Sequence, residues 1–213
     1  MQYRAIVEAI GLPVASIYSA GSFIYPEKAA AESAAMEGTA RFLASLGSKT
    51  MVVGGGHKRL EGNSREDYEN MARVLNRIGS AANKLGLHLC FHPHSGTCVD
   101  TPQHVDLLMD LTDPTFVHLC PDTGHLLRGG AEPAAFIKKY LPRVGYVHLK
   151  DLASDDRFIE LGQGLVDVAA VVRLLREGGY QGWLTVELDS TSRTPRESAA
   201  LNLAYLRGLG LGE

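Results

Sequence analysis

FVHLCPDTGH, residues 116–125, is a short apolar run that ends on Asp122 and, three residues later, His125. Three other segments repeat its plan: LHLCFHPH (87–94) with His92 and His94, GYVHLKD (145–151) with His148, Lys150 and Asp151, and WLTVELD (183–189) with Glu187 and Asp189. Each reads as a strand of about four to eight residues with a reactive group at its C-terminal end. In a parallel α/β barrel those ends converge on one mouth, where such folds build their active sites.

Outward from these four segments, apolar runs keep alternating with amphipathic ones. LPVASIYSA precedes PEKAAAESAAMEGTARFLASLG, and KTMVVGGG precedes SREDYENMARVLNRIGSAANKLG. Further helical patterns follow from Thr101 to Thr112 and in EPAAFIKKYL, DVAAVVRLLREGG and PRESAALNLAYLRGLG. This is the βαβα pattern of a parallel sheet. Pro26 marks a first turn, Ser64 with Asp67 three residues on marks an N-cap, and Gly47, Gly86 and Gly178 mark C-terminal ends. No linker divides the chain, so residues 1–213 are expected to form one domain.

Period-two alternation assigns the faces of the strands. His88, Cys90 and His92 share one face, as do Phe116, His118, Cys120 and Asp122; Tyr146 with His148; and Thr185 with Glu187. The opposite faces carry Leu87, Leu89, Phe91, Val117, Leu119, Val147, Leu149, Leu184, Val186 and Leu188. A doubly wound sheet covered by helices on both sides would be apolar on both faces. One steadily more polar face is instead expected of a barrel interior. The expected fold class is therefore α/β, a (β/α) TIM barrel. About six strands are readable, where a closed barrel of ~250 residues has eight, and the chain starts on a helical pattern, QYRAIVEAIG. The barrel is either open or without its first two strands, with bare edges that a second copy would cover.

Composition narrows the function. The 213 residues are 45% hydrophobic and 21% charged, as in an ordinary globular domain. No apolar run reaches the ~20 residues a spanning helix needs, and the N-terminus lacks a signal-peptide pattern; a cytoplasmic protein without membrane contact is expected. Cys90, Cys98 and Cys120 form no C-x-x-C pair and read as buried reduced thiols. A net charge of -3 without a Lys/Arg cluster lacks the footprint of nucleic-acid binding, so a small-molecule substrate fits better. The Gly54-Gly55-Gly56 run is a weak phosphate signal on its own and equally reads as a tight turn.

Asp122, His148 and Glu187, with His92 as a fourth, offer oxygen and nitrogen donors suited to a divalent ion such as Mn²⁺, Mg²⁺, Co²⁺ or Zn²⁺. A lone strand histidine is more often a core or surface residue. Four such groups, always at the C-terminal end of a strand, argue against that reading. His125 would reach over the mouth to bind a substrate oxygen or shuttle a proton, or else cap the loop into the next helix. Lys150, two residues beyond His148, would hold a substrate oxygen, the alternative being a solvated rim lysine. His94, with Ser95 and Thr97, would line the substrate pocket or form a turn.

From about LPVASIYSAG to WLTVELD the chain resembles the xylose-isomerase-like TIM-barrel superfamily, on the DTGH, YVHLKD and GQGLVD blocks in the family's order. That group includes sugar phosphate isomerases and epimerases, inosose dehydratases, hydroxypyruvate isomerases and endonuclease IV. The resemblance implies a divalent ion held by Asp122, His148 and Glu187, and makes LPVASIYSA the third strand. Many members carry a glutamate where this chain has His92 in FHPH, which puts a two-glutamate epimerase mechanism in doubt. HPHSGTCVD resembles the inosose dehydratase branch, often HPHxGTxVE, with Asp100 in place of the glutamate; Gln163 also stands where a Glu is frequent.

The expected activity is a metal-dependent sugar or keto-polyol isomerase, epimerase or dehydratase. It would abstract a proton next to a carbonyl through a metal-stabilised enediolate, with Glu187 as base and His125 and Lys150 protonating or holding oxygens. The rival readings are an endonuclease IV-like phosphodiesterase and a non-catalytic, truncated barrel.

Overall fold

The alternating segments resolve into a curved parallel sheet in the computed structural model, which describes residues 2–212. After helix α1 (Gln2–Ile10) come β1 (Tyr18–Gly21), α2 (Ala29–Ser45), β2 (Thr50–Gly55), α3 (Arg65–Asn83), β3 (His88–His92), α4 (Pro102–Leu111) and β4 (Val117–Leu119). Helices α5 (Thr123–Arg128) and α6 (Pro133–Tyr140) lead to β5 (Val147–Leu149) and then a small antiparallel hairpin, β6 (Asp151–Leu152) with β7 (Phe158–Ile159). Helix α7 (Val168–Glu177), β8 (Leu184–Val186) and α8 (Pro195–Gly208) complete the chain. Strands β1-β2-β3-β4 pair in that order, all parallel. Parallel bridges Leu119–Val144 and Asp122–His148 carry the arc on to β5, which pairs with β8. The arc thus has the strand count read from the sequence, and among the described residues no strand adds to the outer edge of β1 or β8. No helix among them is long and apolar enough to cross a membrane.

The two faces separate as alternation requires. Met51, Val53, Leu89, Phe91, Val117, Leu119, Val147 and Leu149 point outward into a fully buried core shared with the helices, against Leu43, Leu75, Ile78, Leu108 and Ile137. Each such burial stabilises by about 1.5–3 kcal/mol, so this layer holds the helices to the sheet. The inner face carries its own small cluster of Val52, Cys90, Cys120 and Tyr146. All three cysteines are free and buried.

Several local expectations hold and others need correction. Ser64 and Asp67 form a reciprocal capping box at the start of α3. Gly47 and Gly86 take the left-handed conformation past α2 and α3, and Gly178 caps the C-terminal end of α7 with the left-handed Gly179 behind it. The strand expected across LPVASIYSA begins only at Tyr18. Ahead of it the Ser16 hydroxyl replaces backbone pairing, donating to the Thr50 carbonyl and accepting from the Val52 amide, both at 3.1 Å. The triple glycine is packing room: a Cβ on Gly54 would collide with the Tyr18 ring, on Gly55 with Cys98 and on Gly56 with Ser22. Gly54 and Gly55 end β2 in extended conformation, so the run is not the tight turn of the alternative reading.

Candidate metal centre and active site

Each strand end delivers its side chain for a local reason. Asp122 is the N-cap of α5, its Oδ1 accepting the His125 amide at 2.9 Å. That fixes the carboxylate and leaves Oδ2 facing inward. His148 follows from the Asp122–His148 bridge, which sets β5 beside the end of β4. Glu187 continues β8, its amide donating to the Leu149 carbonyl at 3.1 Å. His92 closes β3, opposite Gly54 in the ladder, where the Tyr18 ring fills the space a side chain would take.

One donor atom each from His92, Asp122, His148 and Glu187 lie within 4.8 Å of one another. His92 Nδ1, Asp122 Oδ2, His148 Nδ1 and Glu187 Oε2 are all buried and make no well-aligned hydrogen bond, although His148 Nδ1 and Glu187 Oε2 stand 2.9 Å apart as an ion pair. With His148 deprotonated, two nitrogens and two carboxylate oxygens make a donor set suited to Mn²⁺, Co²⁺ or Zn²⁺. Donors around one ion at about 2.0–2.2 Å are at most about 4.4 Å apart, so the four residues fit such an ion after slight contraction. Cys120 lies below, in reach of His92 and His148, as an alternative soft donor.

In the protein alone, cations balance the carboxylates. Glu187 Oε2 lies 2.9 Å from His148 Nδ1 and 3.3 Å from Lys150 Nζ, and Asp122 Oδ2 lies 3.7 and 3.6 Å from the same two atoms. Burial works against ionisation of both carboxyls, but His148 and Lys150 outweigh it, holding Glu187 down at about 2 and Asp122 far below the usual carboxylate range. Burial likewise opposes a charge on His148, yet Cys120, Asp122 and Glu187 drive it up to about 12. Burial lowers His92 to about 4 and His125 to about 3, so both rings are neutral and able to accept or ligate.

Lys150 is 0% exposed, which rules out the solvated rim position. Its ammonium donates to Asp189 Oδ1 at 2.9 Å and to His125 Nε2 at 3.2 Å. With Nε2 accepting, the His125 Nδ1–H donates to Ser95 Oγ at 2.8 Å. His125 therefore both starts α5 and reaches the centre, combining the two roles the sequence left open. His94 stacks on it at 3.8 Å between ring centroids, and His94 Nδ1 bonds the Ser95 carbonyl at 2.8 Å. Phe158, from the hairpin, covers this group with its ring 4.5 Å from Lys150 Nζ and 4.8 Å from the His125 ring.

One member was missed and another was named without a role. Asp189, named with Glu187 at the end of WLTVELD, shares its face by alternation and is the anchor of Lys150. Phe158 left no signal, because two-residue strands carry no period. Asp100, where the related pattern has a glutamate, turns to Lys58 at 3.0 Å and His104 at 3.1 Å.

Parallel strands alternating with helices, with functional side chains gathered at the strands' C-terminal ends, follow the TIM-barrel plan, and the chain belongs to the xylose isomerase-like TIM-barrel family, matching it over residues 1–209. It is 34% identical over 164 residues to the inosose dehydratase of Clostridium tetani (strain Massachusetts / E88), covering 68% of this chain and 55% of that protein. It is also 34% identical over 178 residues to the inosose dehydratase of Bacillus anthracis (strain CDC 684 / NRRL 3495), covering 70% and 60%. The matches thus span less than two thirds of these relatives' own length. Among solved structures, 3-keto-D-glucoside 4-epimerase from E. coli superposes with a TM-score of 0.79 at 22% identity, covering 96% of this chain and 82% of that one. A D-tagatose 3-epimerase-like protein gives 0.81 at 19% identity, covering 98% and 82%.

Proposed function

We propose that the protein is a divalent-metal-dependent enzyme acting on a sugar or keto-polyol, of the inosose dehydratase kind, that removes a proton from a carbon next to a carbonyl. The observation that carries this reading is the convergence of four buried donor atoms, one each from His92, Asp122, His148 and Glu187, within 4.8 Å of one another. Its support from relatives is the 34% identity to inosose dehydratases.

These four residues would hold the ion, which supplies Lewis-acid polarisation of a substrate carbonyl and a neighbouring hydroxyl when bound. Glu187 is ionised and 40% exposed at its side chain, whereas the Asp122 side chain is wholly enclosed. Glu187 is thus the carboxylate placed to face a substrate carbon and accept its proton. Lys150 has three N–H groups and spends two on Asp189 and His125. Nζ also lies 3.3 Å from Glu187 Oε2, and its positive charge would balance charge that develops on a substrate oxygen. His125 Nε2, in contact with Lys150, takes or returns a proton on that side. His94 and Ser95 line the approach, and Phe158 keeps water from the Lys150 side. Loss of a β-hydroxyl after proton removal makes a dehydratase; return of the proton to the neighbouring carbon makes an isomerase.

The test is incubation of metal-loaded protein in deuterated water with a panel of ketoses and an inosose, alongside elemental analysis of the purified protein. Expected are bound divalent metal and deuterium at the carbon next to the carbonyl. Protein that binds metal and exchanges nothing would count for a non-catalytic barrel, and nicking of abasic DNA for a phosphodiesterase.

Lys150→Met gives a prediction with opposite signs. It removes a cation that repels the ion from between two carboxylates, so metal should bind more tightly, on the order of tenfold, while turnover falls at least as much. The metal-free variant should melt below wild type and be restored by metal, because Asp122 and Glu187 then share His148 alone as a close counter-charge. Calorimetric titration and melting curves check both signs; equal weakening of binding and turnover would remove Lys150 from the charge-balancing role.

A further inference from the structure

At the end of the barrel opposite the mouth, β3 and β4 present a second pair of imidazoles that the proposed reaction leaves idle. His88 opens β3, while His92 closes it at the mouth. The ladder pairs Cys90 with His118, so His88 stands diagonally across from His118 on the neighbouring strand. His88 Nδ1 and His118 Nε2 are 3.3 Å apart, with perpendicular rings 4.9 Å between centroids. Both border a cavity of about 380 Å³, walled on its other sides by Leu141, Pro142, Tyr180 and Gln181.

We propose that His88 and His118 form a second divalent-metal site, separate from the centre at the mouth and selective for a borderline transition ion such as Zn²⁺, Ni²⁺ or Cu²⁺. Two nitrogens at about 2.0–2.1 Å from one ion, at the tetrahedral angle, are about 3.3 Å apart. That is the separation found. Adjacent strands of one sheet hold both rings, so little conformational freedom is lost on binding. Water in the cavity completes the coordination shell.

The surroundings set the selectivity. Burial, then His88 and Arg143, lower the His118 pKa, so its ring is a neutral ligand at neutral pH. Arg143 places a positive charge near the site, which weakens it. Its Nη atoms, however, are committed to the Met109 and Val117 carbonyls and to Thr112 Oγ1, fixing the guanidinium at the strand-helix junction. No carboxylate lines the cavity. Mg²⁺ and Ca²⁺, which take oxygen ligands, have nothing to hold them there, whereas imidazole pairs favour Zn²⁺, Ni²⁺ and Cu²⁺. This differs in kind from the mouth, where two carboxylates stand with two imidazoles.

The test is calorimetric titration of chelator-treated protein with Zn²⁺, and separately with Mg²⁺. A His92→Ala/His148→Ala/Glu187→Gln variant, which removes a member of every candidate group at the mouth, should still take up one Zn²⁺ and no Mg²⁺. Adding His88→Ala to that variant should abolish the uptake. His88 is exposed at a strand start, so this substitution leaves the fold intact, and far-ultraviolet circular dichroism confirms it. In the otherwise unaltered protein His88→Ala should bind one fewer Zn²⁺ than wild type. Equal Zn²⁺ stoichiometry with and without His88 overturns the proposal and leaves an ordinary imidazole-imidazole hydrogen bond.

Discussion

Glu187→Gln, assayed at saturating metal, is expected to slow deuterium exchange at the substrate carbon by about 10²–10⁴-fold, the usual contribution of a positioned general base. Gln keeps the shape and a carbonyl oxygen toward His148, so the strand end should hold its place. It cannot accept a proton. Glu187 is the member of the donor set that combines contact with His148 at 2.9 Å and a side chain 40% open to the mouth. Metal affinity will also drop, which is why the comparison must be made with the ion in excess and its occupancy measured. Exchange at the wild-type rate in fully loaded Glu187→Gln would remove the base from the proposed mechanism, while the metal centre would stand on its own measurement.

The second large effect is on stability and arises from Asp151, the residue after Lys150. Its carboxylate is 0% exposed and accepts four backbone amides: Leu152 at 2.8 Å, Gly162 and Gly164 at 2.9 Å, and Val166 at 3.0 Å. Three of those amides, Gly162, Gly164 and Val166, belong to the turn between the hairpin and α7, where no regular ladder satisfies them. Asp151→Ala strands buried donors, each costing about 1–3 kcal/mol, and the summed loss should be about 4 kcal/mol after partial relaxation. For a chain of this size that lowers the melting temperature by roughly 10 °C. Asp151→Asn should fare little better, because each oxygen takes two amides and the amide nitrogen of Asn would face two donors. A melting temperature within a degree of wild type for either variant would show that the turn holds itself without the carboxylate.

The positions of Asp122, His148, Glu187 and His92 were legible because two local rules coincide there: alternation picks the inner face, and the C-terminal end of a parallel strand picks the mouth. The same alternation separated the outward Leu and Val layer from the inner Cys90, Cys120 and Tyr146 layer. What escaped depends on partners distant in sequence. The Lys150–Asp189 pair unites two segments whose spacing carries no period, so burial of the lysine could not be read from LKD alone. Ser16 reads as a strand residue yet substitutes its hydroxyl for a ladder bond. The hairpin that brings Phe158 over Lys150 is held by the GQGLVD turn folding onto Asp151, a side-chain effect with no hydrophobic pattern of its own.

The four donors do not sit in equally stiff surroundings. His92 and Asp122 issue from strands flanked on both sides, whereas Glu187 issues from β8, three residues long and laddered to β5 alone. Displacing it breaks one ladder instead of two. The cluster therefore has an anvil and a spring: an imidazole and a carboxylate fixed on the inner strands, and a carboxylate on the flank that is easier to displace.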